Sequence, residues 1–155
     1  MNLSKNFTLS EMTASQTATR HGIDNSPSAA HLANLQRLVT ELLQPLRDAL
    51  GHVISVSSGY RSPTLNTRVG GSATSAHSIG MAADINARSY GDARQLALFI
   101  RDWLIKNKIP FDQLILEFGA WVHIGLMSRT GQQRRQVLTA RRDVYGKTEF
   151  VTGIV

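Results

Sequence analysis

The chain has 155 residues, 42% of them apolar, no cysteine, and a formal charge of +6 from 17 basic and 11 acidic side chains. This composition supports one folded domain, residues 1–155, with a sizeable core; it excludes disulfide frameworks and thiolate metal sites, and no apolar run approaches the roughly 18 residues of a membrane span. The basic excess, in which 13 residues are arginine, favours polyanionic surroundings such as nucleic acid, anionic lipid or an acidic cell wall, or else serves as a solvated face.

The first residues, "MNLSKNFTLSEM", lack the basic-then-apolar layout of a signal peptide, so synthesis in the cytoplasm without use of the secretory route is expected. "TLSE", Thr8 to Glu11, matches a capping box, with Phe7 and Met12 placed for a hydrophobic staple, and predicts a short helix. Ser26–Pro27 reads as an N-cap followed by proline at the first helical position. Leu32, Leu35, Leu38, Val39, Leu42, Leu43, Leu46 and Leu50 then follow a helical period, which Pro45 should kink or cut short. "HVISVSS" alternates like a strand, "GYRSPTLN" turns into a short helical piece, and "MAADINA" reads as a second strand. "DARQLALFIRDWLIKN" is a long amphipathic helix with Leu96, Phe99, Ile100, Trp103 and Leu104 on one face. "FDQLILEF" and "WVHIGLM" are two strands joined near Gly119–Ala120, and "RRQVLTA" is a further strand. Helices followed by antiparallel strands predict an α+β fold, with helices packed on one face of a small, mainly antiparallel sheet. The stretch from Leu126 onward is basic: Arg129, Arg134, Arg135, Arg141, Arg142 and Lys147 face only Asp143 and Glu149.

Chemistry concentrates at "SAHSIGMAADI". His77 and Asp84 stand seven residues apart around Gly80, and Asp84 lies in an apolar stretch where a lone charge is costly to bury. His123 adds a second imidazole from the strand "WVHIG". Each alone reads equally as a structural residue. Together they make a two-histidine, one-carboxylate donor set of the kind that holds catalytic zinc with a fourth position open. A cation beside Asp84 would also offset its burial. His21, His31 and His52 have no ligand spacing to these residues.

"SGYRSPTLNTRVGGSATSAHSIGMAADI", followed by "EFGAWVHIGL", resembles the M15 family of zinc peptidoglycan peptidases. That family includes D-Ala-D-Ala carboxypeptidases, phage endolysins and vancomycin-resistance dipeptidases, and shares its fold with the Hedgehog signalling domain. Ser75, His77, Gly80, Ala82 and Asp84 match its S-x-H-x-x-G-x-A-x-D pattern, "SGYR" and "WVH" match as well, and "FTLSEM…HGIDN" is similar to the phage and prophage branch. The resemblance implies a Hedgehog/DD-peptidase-like fold and a Zn2+ ion on His77, Asp84 and His123. It implies that Arg61 binds a substrate carboxylate or stabilises the oxyanion, and that Ser75 contributes to substrate binding or orients a ligand through a hydrogen bond.

One position departs from the family. Better-known members carry an acid three residues before the last histidine, where this chain has Ala120. Glu117 is the nearest carboxylate and the candidate general base, with Asp112 second. Side chains alternate along strands, so Glu117 shares a face with His123 only if the connecting loop is the three residues Phe118 to Ala120. A two-residue turn would separate them.

The resemblance implies a zinc metallopeptidase of the endolysin type that cuts peptidoglycan stem peptides or cross-links. It would stay in the cytoplasm until lysis and then act on the wall as a monomer. Two alternatives stand beside it: a D-Ala-D-Ala carboxypeptidase, and a wall-binding or phage structural domain that has lost its base. No base-reading motif or aromatic stacking pattern accompanies the positive charge, so no specific nucleic-acid partner is expected.

Overall fold

Short polar side chains start the helices. The computed structural model describes residues Met1–Val155. Thr8 accepts the Glu11 amide and opens α1, Leu9–Thr13. Ser15 does the same for α2, Gln16–His21, which ends on left-handed Gly22. The next helix starts two residues later than the sequence predicts. Ser28, not Ser26, caps α3, Ala29–Leu38. The Ser26 amide instead donates to Asp24 Oδ1 at 2.9 Å, an Asx turn that leaves Pro27 in the lead-in.

Pro45 does not end this helix. The chain passes through a π-helical turn, Val39–Leu43, into α4, Gln44–Leu50. Proline lacks an N–H and its ring crowds the preceding turn. The π turn, in which the Gln44 amide reaches back to the Val39 carbonyl, widens the helix just ahead of it. The rod therefore continues to Gly51 with Leu35, Leu38, Leu42 and Leu46 buried along one stripe.

The remaining elements are β1 (Ser55–Ser58), α5 (Pro63–Arg68), a 3-10 turn (Ala76–Ile79), β2 (Ala82–Asn86), α6 (Ala93–Lys106), β3 (Gln113–Glu117), β4 (Trp121–Gly125), β5 (Gln136–Arg142) and β6 (Thr148–Thr152). They form one six-stranded sheet in the order β1-β2-β4-β3-β5-β6. Every neighbouring pair is antiparallel except β3–β5, which is parallel. The fold is α+β, as the sequence predicts. The sequence pattern does not reveal β6, an edge strand that alternates between exposed and half-buried residues.

The parallel pair needs no long crossover. β4 ends beside the start of β3, with Gly125 opposite Gln113, and Gln136 opens β5 on the other side of the same residue. The connection only crosses the end of β3. Buried Asp112 pins it there, accepting from the Arg134 amide at 3.0 Å and from two guanidinium nitrogens at 2.8 Å.

Alternation divides the sheet. Ala83, Ile85, Leu114, Leu116, Val122 and Ile124 point into the core shared with α6 and the α3–α4 rod. Asp84, His123, Ile115 and Glu117 belong to the opposite, open face. No helix is long and apolar enough to cross a membrane.

Candidate metal centre

His77 is set by its turn. Ser75 Oγ accepts the His77 amide and caps the 3-10 turn, which ends on Gly80 at φ 80°. A Cβ at Gly80 would lie 2.7 Å from the His31 carbonyl oxygen, so only glycine allows the chain to double back into β2. Asp84 follows on β2, directly opposite His123 on β4. Gly59, just past β1, receives a 2.8 Å hydrogen bond from His77 Nδ1. That bond fixes the ring and leaves Nε2 as the outward nitrogen.

Three atoms then converge. His77 Nε2, His123 Nδ1 and Asp84 Oδ1 form a triangle with every edge 3.2 Å. Nitrogen and oxygen ligands at about 2.0–2.1 Å from a tetrahedral zinc stand roughly 3.3–3.4 Å apart. The triangle is thus one face of such a tetrahedron. Burial pushes His77 toward its neutral form, so its Nε2 lone pair faces a carboxylate oxygen. Burial alone would raise Asp84, but the two imidazoles outweigh it and hold this carboxyl below the usual carboxylate range. A lone pair against an ionised oxygen calls for a cation between them. The donor set fits a metal.

Glu117 reaches the same place. The hairpin turns through Phe118, Gly119 and Ala120, with Phe118 and Gly119 both left-handed, and Glu117 pairs with Trp121. This is the three-residue loop that puts Glu117 and His123 on one face. Glu117 Oε1 lies 3.9 Å from His123 Nδ1, and Oε2 accepts from Trp121 Nε1 at 2.9 Å. Burial is the largest influence on its carboxyl and raises it. Asp112, the second candidate, lines the far end of the cleft and is fully engaged by Arg134.

Arg61 lines the cleft with these groups, and its buried Nε has no hydrogen-bond partner. Burial lowers its guanidinium from the usual range against the pull of Asp84 and Glu117. Ser75 lines the cleft too.

Two residues of the site are not signalled by the sequence pattern: Trp121, which orients Glu117, and Asn25. The Asn25 side chain donates to the Thr13 carbonyl at 2.8 Å and the Tyr60 carbonyl at 3.0 Å, and accepts the Ser62 amide at 2.7 Å. It thereby clamps the backbone on both sides of Arg61. Its partners are main-chain groups far away in sequence; only its place in "HGIDN" hints at a role. His21, His31 and His52 bond to Arg68, Tyr60 and Ser89, away from the centre.

A carboxylate beside a three-donor metal face, with a free cation across an open cleft, defines a site of metal-dependent hydrolytic type. The profile of the family described as Peptidase M15 matches residues 5–125, and the chain belongs to that family. A curated relative, the zinc D-Ala-D-Ala carboxypeptidase of Streptomyces albus G, is 45% identical over 65 residues. That match covers 41% of this chain and 26% of the relative's length. Residues 126–155, with β5 and β6, lie beyond the profile match.

Proposed function

We propose that the chain is a zinc peptidase that hydrolyses peptide bonds in bacterial peptidoglycan, cutting stem peptides or their cross-links. The observation that carries this reading is the 3.2 Å triangle of His77, Asp84 and His123 with Glu117 on the same face. Membership in the M15 family and the zinc enzyme of Streptomyces albus G support it.

His77, Asp84 and His123 would hold the ion, which when bound supplies Lewis-acid activation of water and of the scissile carbonyl. Glu117, oriented by Trp121, takes the proton from the attacking water and passes it to the leaving amine. The Arg61 guanidinium binds the oxygen on which negative charge develops, or the substrate carboxylate. Asn25 and the cap at Ser75 hold Arg61 and His77 in place. The positive surface favours residence on an anionic wall polymer.

Cutting inside a peptide is the leading form, since the cleft runs on from the donors across β3 to Phe150 on β6 and offers room beyond the cleaved bond. The similarity of "FTLSEM…HGIDN" to the phage and prophage branch supports a lysis role, with access to the wall once the inner membrane opens. Trimming of a terminal D-alanine is the second form, favoured by the named activity of the Streptomyces relative.

Digestion of purified cross-linked peptidoglycan, read by mass spectrometry with zinc-loaded and chelator-stripped protein, tests both. Metal-dependent release of stem peptides or split cross-links supports the endopeptidase, and loss of single alanines supports the carboxypeptidase. Stoichiometric zinc without metal-dependent fragments from several wall types would overturn the enzyme and leave a wall-binding domain.

A further inference from the structure

Strand register extends the open face well past the donors. Trp121 pairs with Glu117, Glu117 with Ala140, and Ala140 with Phe150, so these four side chains form one row across β4, β3, β5 and β6. Ala140, between Glu117 and the aromatic ring in that row, is small and buried. Phe150 is 58% exposed, a large apolar surface left in water on the wall of a cleft of about 450 Å³ that also contains the donors.

The charge around this end is already satisfied. Arg134, which lines the same cleft, makes two guanidinium hydrogen bonds to Asp112 and so is already paired. Ser72, Thr74 and Ser128 line the rim with hydroxyls suited to peptide groups. Ser128, Arg134 and Phe150 all come from residues beyond 125, outside the family match.

We infer that the Phe150 end of the cleft is a substrate subsite that receives a hydrocarbon side chain about four residues from the cleaved bond. The spacing follows from the sheet: three interstrand steps of about 4.8 Å from His123 on β4 to β6, divided by roughly 3.3 Å per residue of extended peptide, give about four residues. The substrate crosses the strands, with its reacting amide at the donors and its distal side chain on the ring. This subsite makes the enzyme selective for longer peptides, and it rests on the peptidase reading above.

The test uses synthetic peptides built around the bond that the wall digest identifies, lengthened one residue at a time on each side. Wild-type protein should show KM falling by roughly tenfold, the effect of burying about two methylene groups, when the fourth residue carries an aliphatic side chain. Phe150→Ala should lose that step while cutting the shortest peptide at the wild-type rate, and Phe150→Leu should keep part of it. Equal gains by Phe150→Ala and wild type, or a Phe150→Ala defect the same at every length, would overturn the subsite. If no preparation cuts any substrate, calorimetric titration of zinc-loaded protein with the pentapeptide L-Leu-D-Glu-mDAP-D-Ala-D-Ala, whose leucine stands four residues from the terminal bond, decides. Weaker binding by Phe150→Ala then supports the subsite and assigns the failure to the peptidase reading, whereas equal or absent binding overturns both.

Discussion

Glu117 lies on the open face 3.9 Å from His123, whereas Ala120 in the hairpin turn carries no group that accepts a proton. Replacing Glu117 by Gln keeps its shape and its contact with Trp121 but removes the proton acceptor. Turnover should fall by about 10²–10⁴-fold, while zinc content by elemental analysis stays at one per chain. Asn25 acts at one remove. Asn25→Ala strips three hydrogen bonds from the segments around Arg61. It should cost about 1–3 kcal/mol, read as a lower melting temperature, and reduce kcat more than zinc affinity. Asn25→Asp, which keeps the acceptor for Ser62, should recover part of the loss. The donors His77, Asp84 and His123 are legible in sequence because their motif is local and their chemistry unusual. Glu117 is legible only as a condition on its loop. Trp121 is not, since a tryptophan in a strand reads as core until its indole is seen on a carboxylate.

The β3–β4 hairpin converts chain length into chemistry. Its loop holds three residues, and side chains alternate with period two, so removing one residue exchanges the faces. Deletion of Ala120 should either turn Glu117 away from His123 or force β4 to slip, and abolish hydrolysis in both cases. Circular dichroism with zinc titration separates the two: a turned Glu117 leaves zinc binding intact, whereas a slipped β4 takes His123 out of the triangle. α1 is readable from its cap at Thr8 and α6 from its apolar period, and the structure adds an Asp92–Gln95 capping box at the start of α6. At Ser26 and Pro45 local pattern and fold diverge for physical reasons. Ser26 loses its cap to an Asx turn at Asp24, and Pro45 is absorbed by a π turn that no propensity scale anticipates. β6 escapes detection because an edge strand buries too little for its alternation to stand out.

At the scale of the molecule, the donors join two segments that are distant along the chain: the His77 turn with the β2 that follows it, and β4. A ligand bound only by the folded state stabilises it by mass action. Zinc at a hundredfold excess over its Kd should add about 2.7 kcal/mol, a rise of roughly 5–10 °C in Tm, and His123→Ala should abolish that response. The net charge of +6 acts over a longer range. Raising the salt concentration should slow attack on insoluble wall far more than hydrolysis of a soluble peptide, because only the former depends on the surface field.

The packing at Gly59 ties the N-terminus to this chemistry. A Cβ there would overlap the Met12 carbonyl oxygen, that same carbonyl accepts the Tyr60 amide, and the Gly59 carbonyl holds His77. α1 is therefore a splint: it braces the loop that braces the imidazole. Linkage is reciprocal, so whatever the splint gives the ion, the ion returns. Zinc should slow proteolysis and amide exchange around Met12 and Thr13, residues that touch none of its ligands, and a nick there should loosen the grip on the metal.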